Sequence, residues 1–256
     1  APVEAEGGSA PTRSPLFTPG WVGVVLGMIL VAGLAVHVVG WWAEQNMQPG
    51  PGYRPAYTGA QAFFRWDSFH YRSIARDGYA YNGDPYSTPN IVFAPVYPLQ
   101  IRLLAAVSPL DHTSAGFWVA RLDLVAGCIL MFLVLRGWFG TRTAVICLAG
   151  LLFSAGSFAF FSYYSEATML AWLAAAFFCL QRRWYWALAL AAGVLSATRL
   201  TAGPFCLVFA LYFVHLAWQQ WRCDRRDWRA ITTRLVQAPL CLGGMAAYLG
   251  YIWYRF

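Results

Sequence analysis

The sequence predicts an all-α polytopic bundle of about seven transmembrane helices, with a large first extracytoplasmic loop carrying surface helices. Three observations point there. Of the 256 residues, 59% are hydrophobic and 11% are charged, whereas a soluble domain carries about 25% charge. Apolar runs of spanning length recur along the chain, separated by short polar turns. Arginine fills some of those turns and avoids others, which is the asymmetry that orients membrane proteins.

Taken in order, residues 1–18 are Gly, Ser, Pro and charge and read as a disordered tail. Residues 19–256 form one transmembrane domain. Its first span, Trp21 to Trp42, is nearly uncharged and closes on a Trp pair suited to the interface. The first outer loop covers 43–113 and opens with the helix-breaking Pro, Gly and Tyr of 43–62. A helix of about three turns follows, started by Asp67-Ser68 and stopped by Gly78. Its mixture of Phe69 and Ile74 with Arg72 and Arg76 suits a membrane surface. Beyond the turn-rich run 81–90, the stretch 91–110 is apolar but punctuated by Pro95, Pro98, Arg102 and Pro109, too short a clean helix to cross easily. Further spans are expected at about 115–135, 143–162, 167–181, 185–198, 203–220 and 236–254.

Topology arbitrates the doubtful stretch. Arginine-bearing loops are 136–142, 182–183 and 222–234, and all three share a side with the N-terminal tail only if 91–110 does not cross. Placing them in the cytoplasm makes 91–110 an outer, re-entrant or surface-lying segment and leaves seven spans. Asp67, the turn at 163–166 and the turn at 198–201 then meet on the outer face. The net charge of +7 is explained by these loops, so nucleic acid is not an expected partner. Six cysteines show neither a C-x-x-C pair nor metal-ligand spacing and read as small core residues, with no disulfide or zinc expected. The chain lacks an initiator Met and stops as an apolar run ends, so a fragment is expected.

The polar residues carry the chemistry. Asp67 reads either as a helix N-cap or as a carboxylate that takes a proton from a substrate hydroxyl, with Trp66, Phe69 and Tyr71 able to stack on a sugar ring. His70 and Tyr71 fall three and four residues later, on the same helical face. Glu166 reads as a dipole-favoured first-turn acid or a site residue, and Arg199 as a C-terminal cation or a bidentate clamp for a lipid phosphate. Arg121 and Asp123 lie inside the outer end of a span, lining the site or forming a pair. His37 and His215 sit singly in spans and read as packed helix residues.

Arg65-Trp66-Asp67-Ser68-Phe69-His70-Tyr71, Ile74-Ala75-Arg76-Asp77-Gly78-Tyr79 and Phe93-Ala94-Pro95-Val96-Tyr97-Pro98 together resemble the first outer loop of the PIG-V family of mannosyltransferases. Phe161-Ser162-Tyr163-Tyr164-Ser165-Glu166 and Ser196-Ala197-Thr198-Arg199 resemble its later motifs, in the same order. Leu200-Thr201 departs from the Pro or polar residue and Gly expected there, and chains of that family run longer, which points to missing C-terminal helices. The resemblance implies a GT-C glycosyltransferase fold in a bacterial plasma membrane, acting on the extracytoplasmic face. It implies a polyprenyl-phosphate-mannose donor, a lipid, glycan or protein acceptor, and no cofactor or metal. Asp67 matches the family's base. As expectations on that footing, Arg199 and Arg121 meet the phosphate, Trp66, Tyr71 and Tyr97 wall the sugar, and His70 and Glu166 complete the site. Other readings are a transporter or lipid-binding protein, which would show broken spans and midplane charges, a non-catalytic partner subunit, or the same fold with a pentose such as arabinose.

Overall fold

The computed structural model describes residues 19–46, 63–64, 66–84, 89–223 and 227–256. The expected tail at 1–18, most of the Pro- and Gly-rich run at 43–62, Arg65, Arg225 and Arg226 lie outside the described residues. Eleven α-helices follow in order: α1 Pro19–Asn46, α2 Ser68–Asp77, α3 Val96–Val107, α4 His112–Phe139, α5 Thr141–Leu152, α6 Phe158–Phe161, α7 Glu166–Gln181, α8 Tyr185–Ser196, α9 Gly203–Arg222, α10 Trp228–Leu240 and α11 Gly243–Arg255. No strand occurs among the described residues.

Among the described residues, three helices are long and apolar enough to cross a membrane: Gly20–Ala43 in α1, His112–Phe139 in α4, and Leu200–Arg222, which includes α9. Two bent pairs raise the total to as many as five. α5 and the Ala155–Phe161 segment meet at 69°, and α10 and α11 meet at 51°. The runs read as continuous spans at 143–162 and 236–254 are therefore broken, at Phe153-Ser154 and at Cys241-Leu242. The second break falls between Pro239, in the last turn of α10, and Gly243-Gly244, which open α11 and are poor helix formers. α7 and α8, at 16 and 12 residues, fall short of the roughly 20 needed for an upright crossing. So does α3, at 12 residues.

Two apolar cores share α7. One joins α1, α4, α5 and α7 around Leu124, Phe132 and Leu148, and the other joins α7, α8, α9 and α10 around Leu188, Leu195 and Phe213. α8 and α11 touch through glycine. A Cβ on Gly244 would collide with the Gly193 carbonyl oxygen, a backbone atom that cannot swing aside. Gly244→Ala is expected to force the two helices apart and to destabilise the protein by about 1–3 kcal/mol, the range for overpacking. A fall in the detergent melting midpoint, with Gly243→Ala in open space as control, checks this.

A third core is aromatic and caps the end of the bundle where α4, α7 and α9 begin and α8 ends. Tyr97 and Tyr163, both fully buried, sit among Phe64, Tyr71, Phe117 and Tyr164. Tyr163 leans over Gly116, where any Cβ would collide with its ring, and donates its hydroxyl to the His112 carbonyl at 2.8 Å. The arginine-bearing turns after α4, α7 and α9 lie at the opposite ends of those helices.

Candidate functional site

α2 forms where the sequence places it. Gly78 closes it with φ of 90°, and its N–H donates to the Ile74 carbonyl at 3.0 Å. Arg102 of α3 donates Nε to Ala75 O at 2.8 Å, a carbonyl the helix leaves open, and Nη2 to Ile74 O at 3.0 Å as a second donor beside Gly78. These two bonds tie α3 to α2 and explain the Arg in the middle of the 91–110 stretch.

The start of α2 corrects one expectation. Asp67 occupies the position before the helix, but its side chain makes no capping bond. The carboxylate is exposed and has no hydrogen bond or ion pair with another described residue. What pins this end is Ser68, whose Oγ donates to Tyr163 O at 3.2 Å, together with Tyr163 N–H donating to Phe63 O at 3.3 Å. The residue between them, Trp66, is 71% exposed and held at φ 43°, a left-handed conformation that costs a non-glycine residue of order 1 kcal/mol.

Tyr71 points inward and is 4% exposed. Its hydroxyl lies 2.8 Å from Ser165 Oγ, and Arg199 Nη1 donates to the same oxygen at 3.1 Å. Arg199 Nη1 also pairs with Glu166 Oε1 at 2.7 Å. The three polar clusters, from α2, the turn before α7 and the turn after α8, are thus joined in one chain of contacts. Asp67 joins the same cluster through the backbone: its carbonyl accepts from Tyr71 N–H at 3.2 Å, and the next residue, Ser68, bonds Tyr163 O. Glu166 Oε2 is buried without a hydrogen-bond partner among the described residues. Arg199 Nε and Nη2 make no hydrogen bond to a described residue, so the guanidinium is anchored by one nitrogen with two left over.

Burial pushes the Tyr71 phenol up to about 12, from an ordinary value near 10. The folded state therefore favours the protonated phenol, and this contribution is complete below pH 10 and lost as pH rises from 10 to 12. Two units correspond to about 3 kcal/mol. The melting midpoint of the unmodified protein is expected to fall more steeply across that window than that of Tyr71→Phe, as thermal denaturation at stepped pH would show.

The other candidates divide. His70 is half-buried and its ring stacks on Phe93 with centroids 4.6 Å apart; its backbone N–H donates to the Asp67 carbonyl at 3.0 Å, but the ring makes no bond to the Asp67 carboxylate. Tyr97 does not wall a sugar. It is 0% exposed, its hydroxyl donates to Gly116 O at 2.9 Å, and its ring supports Tyr71 edge-on at 5.2 Å. Arg121 does not join Arg199. Its guanidinium lies about equally far from Phe117 and Phe161, at 6.0 and 5.9 Å, and Nη1 is buried with no hydrogen-bond partner among the described residues. Nor does it pair with Asp123, which instead accepts from Thr168 Oγ1 at 2.5 Å and Gln100 Nε2 at 3.3 Å, tying α3, α4 and α7 together. His37 bonds Gly33 O, and His215 bonds Gln219, each within its own helix.

Phe93, Tyr164 and Ser165 stand in the motifs read from the sequence, but without a role in the site. Phe93 is the shelf for His70 and Tyr71, and its carbonyl accepts from Tyr79 and Tyr248. Tyr164, with Trp66, Phe63 and His37, lines a groove of about 780 Å³ between α1 and the α5–α6 break. A second groove, of about 720 Å³, lies between α3, α8 and α11 and is lined by Tyr79, Arg102 and Ala197. Among the described residues no three His, Cys, Asp or Glu side chains converge as a metal site would require. No protein-family model, no curated protein and no solved structure matches this chain.

Proposed function

We propose that this protein is a membrane glycosyltransferase that moves mannose from polyprenyl-phosphate-mannose to an acceptor hydroxyl, with inversion, on the extracytoplasmic face of a bacterial plasma membrane. The supporting observation is that α2, which starts at the exposed carboxylate Asp67, is joined through Tyr71 and Ser165 to Arg199, a guanidinium with unbonded donors, at one end of an apolar bundle. In this reading Asp67 takes the proton of the acceptor hydroxyl as its oxygen attacks the anomeric carbon. The bond from that carbon to the phosphate oxygen breaks, and the phosphate leaves with the electron pair. A phosphate leaving group needs no protonated acid, only positive charge, which Arg199 supplies through Nε and Nη2.

The groove between α1 and the α5–α6 break, which reaches Trp66, suits the polyprenyl chain, and the exposed ring of Trp66 suits the sugar. His70 and Tyr71 shape the floor. The GT-C arrangement with seven spans is part of this proposal, with α7 and α8 crossing as short spans packed against α4 and α9. The acceptor is a lipid, glycan or protein bearing a free hydroxyl, and the chemistry described uses no metal.

The test is transfer from synthetic polyprenyl-phosphate-mannose in membranes holding this protein. Incorporation supports the reading. Consumption of a different lipid-phosphate sugar, such as arabinose, keeps the fold and mechanism and changes the sugar. A second reading, a lipid-binding or transport protein, is favoured by the two broken helices, since interrupted helices line many transport sites. It predicts binding of the lipid phosphate without turnover.

A further inference from the structure

Ser165 stands where a serine ordinarily caps a helix, yet its side chain makes no bond to the first turn of α7. The hydroxyl is committed elsewhere. It is fully buried and contacts Tyr71 Oη on one side and Arg199 Nη1 on the other. One oxygen therefore links α2, which begins beside Asp67, to the turn after α8 that carries Arg199. The adjacent Tyr163 grips the start of α2 through Ser68 and Phe63, so the 163–165 turn is the template on which both halves of the site are registered.

We propose that Ser165 is a positioning residue: it holds Arg199 by Nη1 in fixed register with α2, so that Nε and Nη2 remain available for the phosphate of the donor. It acts through Arg199 and does not touch substrate. The inference rests on the reading of Arg199 as the phosphate-binding group. A hydroxyl that accepts from Arg199 can still exchange a hydrogen bond with Tyr71, so the two contacts reinforce one another. Without the hydroxyl, Glu166 alone holds the guanidinium, by a single oxygen, and the fork is free to swing.

The experiment compares Ser165→Ala, Tyr71→Phe and the double variant with the unmutated protein, reading kcat and KM for polyprenyl-phosphate-mannose and, without substrate, the rate at which phenylglyoxal labels Arg199. Ser165→Ala is expected to lower kcat about tenfold with little change in KM, and to speed Arg199 labelling. The double variant should lose no more than Ser165→Ala alone, because both act through one contact. Wild-type kcat with unchanged labelling overturns the proposal, as does a loss that appears only as reduced thermal stability. Should Ser165→Ala not accumulate, Tyr71→Phe carries the test: faster labelling supports the proposal, and labelling at the wild-type rate overturns it. If the unmutated protein transfers no sugar from any lipid phosphate, the proposed function fails while labelling still decides the role of Ser165.

Discussion

Asp67→Asn is expected to reduce sugar transfer about a hundredfold or more at equal expression, with the melting midpoint unchanged. The two halves of that expectation have separate causes. The amide keeps the size of the carboxylate but cannot accept the acceptor's proton. The fold should not respond, because the side chain is exposed, caps nothing and has no hydrogen-bonding partner among the described residues. Site and stability are seldom separable at a helix start, where losing a capping Asp typically costs about 1 kcal/mol. Initial rates with synthetic donor, set beside thermal denaturation, measure both. Transfer that survives Asp67→Asn within about twofold would sink the base assignment. Retained binding of the lipid phosphate, with no turnover by the unmutated protein, would favour the transport reading.

Arg199→Ala should cost about a hundred- to a thousandfold in kcat, the magnitude of removing a donor aimed at developing negative charge. Unlike Asp67, Arg199 is woven into the structure. Its loss leaves the Glu166 carboxylate without its counter-ion and Ser165 with one fewer donor, and should destabilise the protein by about 1–3 kcal/mol. Arg199→Ala combined with Glu166→Gln separates the effects. Neutralising Glu166 is expected to restore most of the melting midpoint and none of the transfer. Arg199→Lys keeps the charge but loses the planar fork, and recovery of only a small part of the rate would show that geometry matters beyond charge. Full activity in Arg199→Ala would reduce the residue to a counter-ion for Glu166.

Much of the local structure was legible because it depends on neighbours in the chain. The bounds of α2, Ser68 and Gly78, are as read: the glycine, tolerant of positive φ, closes the helix within its own turn, whereas the start is held by Ser68 to Tyr163 and not by a local cap. The lengths of α1, α4 and α9 follow from uninterrupted apolar runs. The doubtful stretch 91–110 became the short α3, its Arg102 occupied with the end of α2. The break after Leu152 was hidden because a run apolar on every side offers no periodicity to interrupt, whereas Pro239 and Gly243-Gly244 marked the break after Leu240 within a run read by its apolar length.

By itself, then, the sequence determined that this is an all-helical, apolar chain whose Asp67, Glu166 and Arg199 belong to turns at one end of its helices. Side-chain company was decided only by the tertiary structure. Tyr97 and Tyr71 look interchangeable as aromatic walls, yet packing against Gly116 buries one completely and turns the other to Ser165. Arg121 and Arg199 look like two phosphate ligands, yet one guanidinium lies between Phe117 and Phe161 and the other between Ser165 and Glu166. The physical reason is range: caps and apolar periodicity act over a few residues, whereas a hydrogen bond spanning 94 positions, such as Tyr71 to Ser165, exists only after the helices have packed.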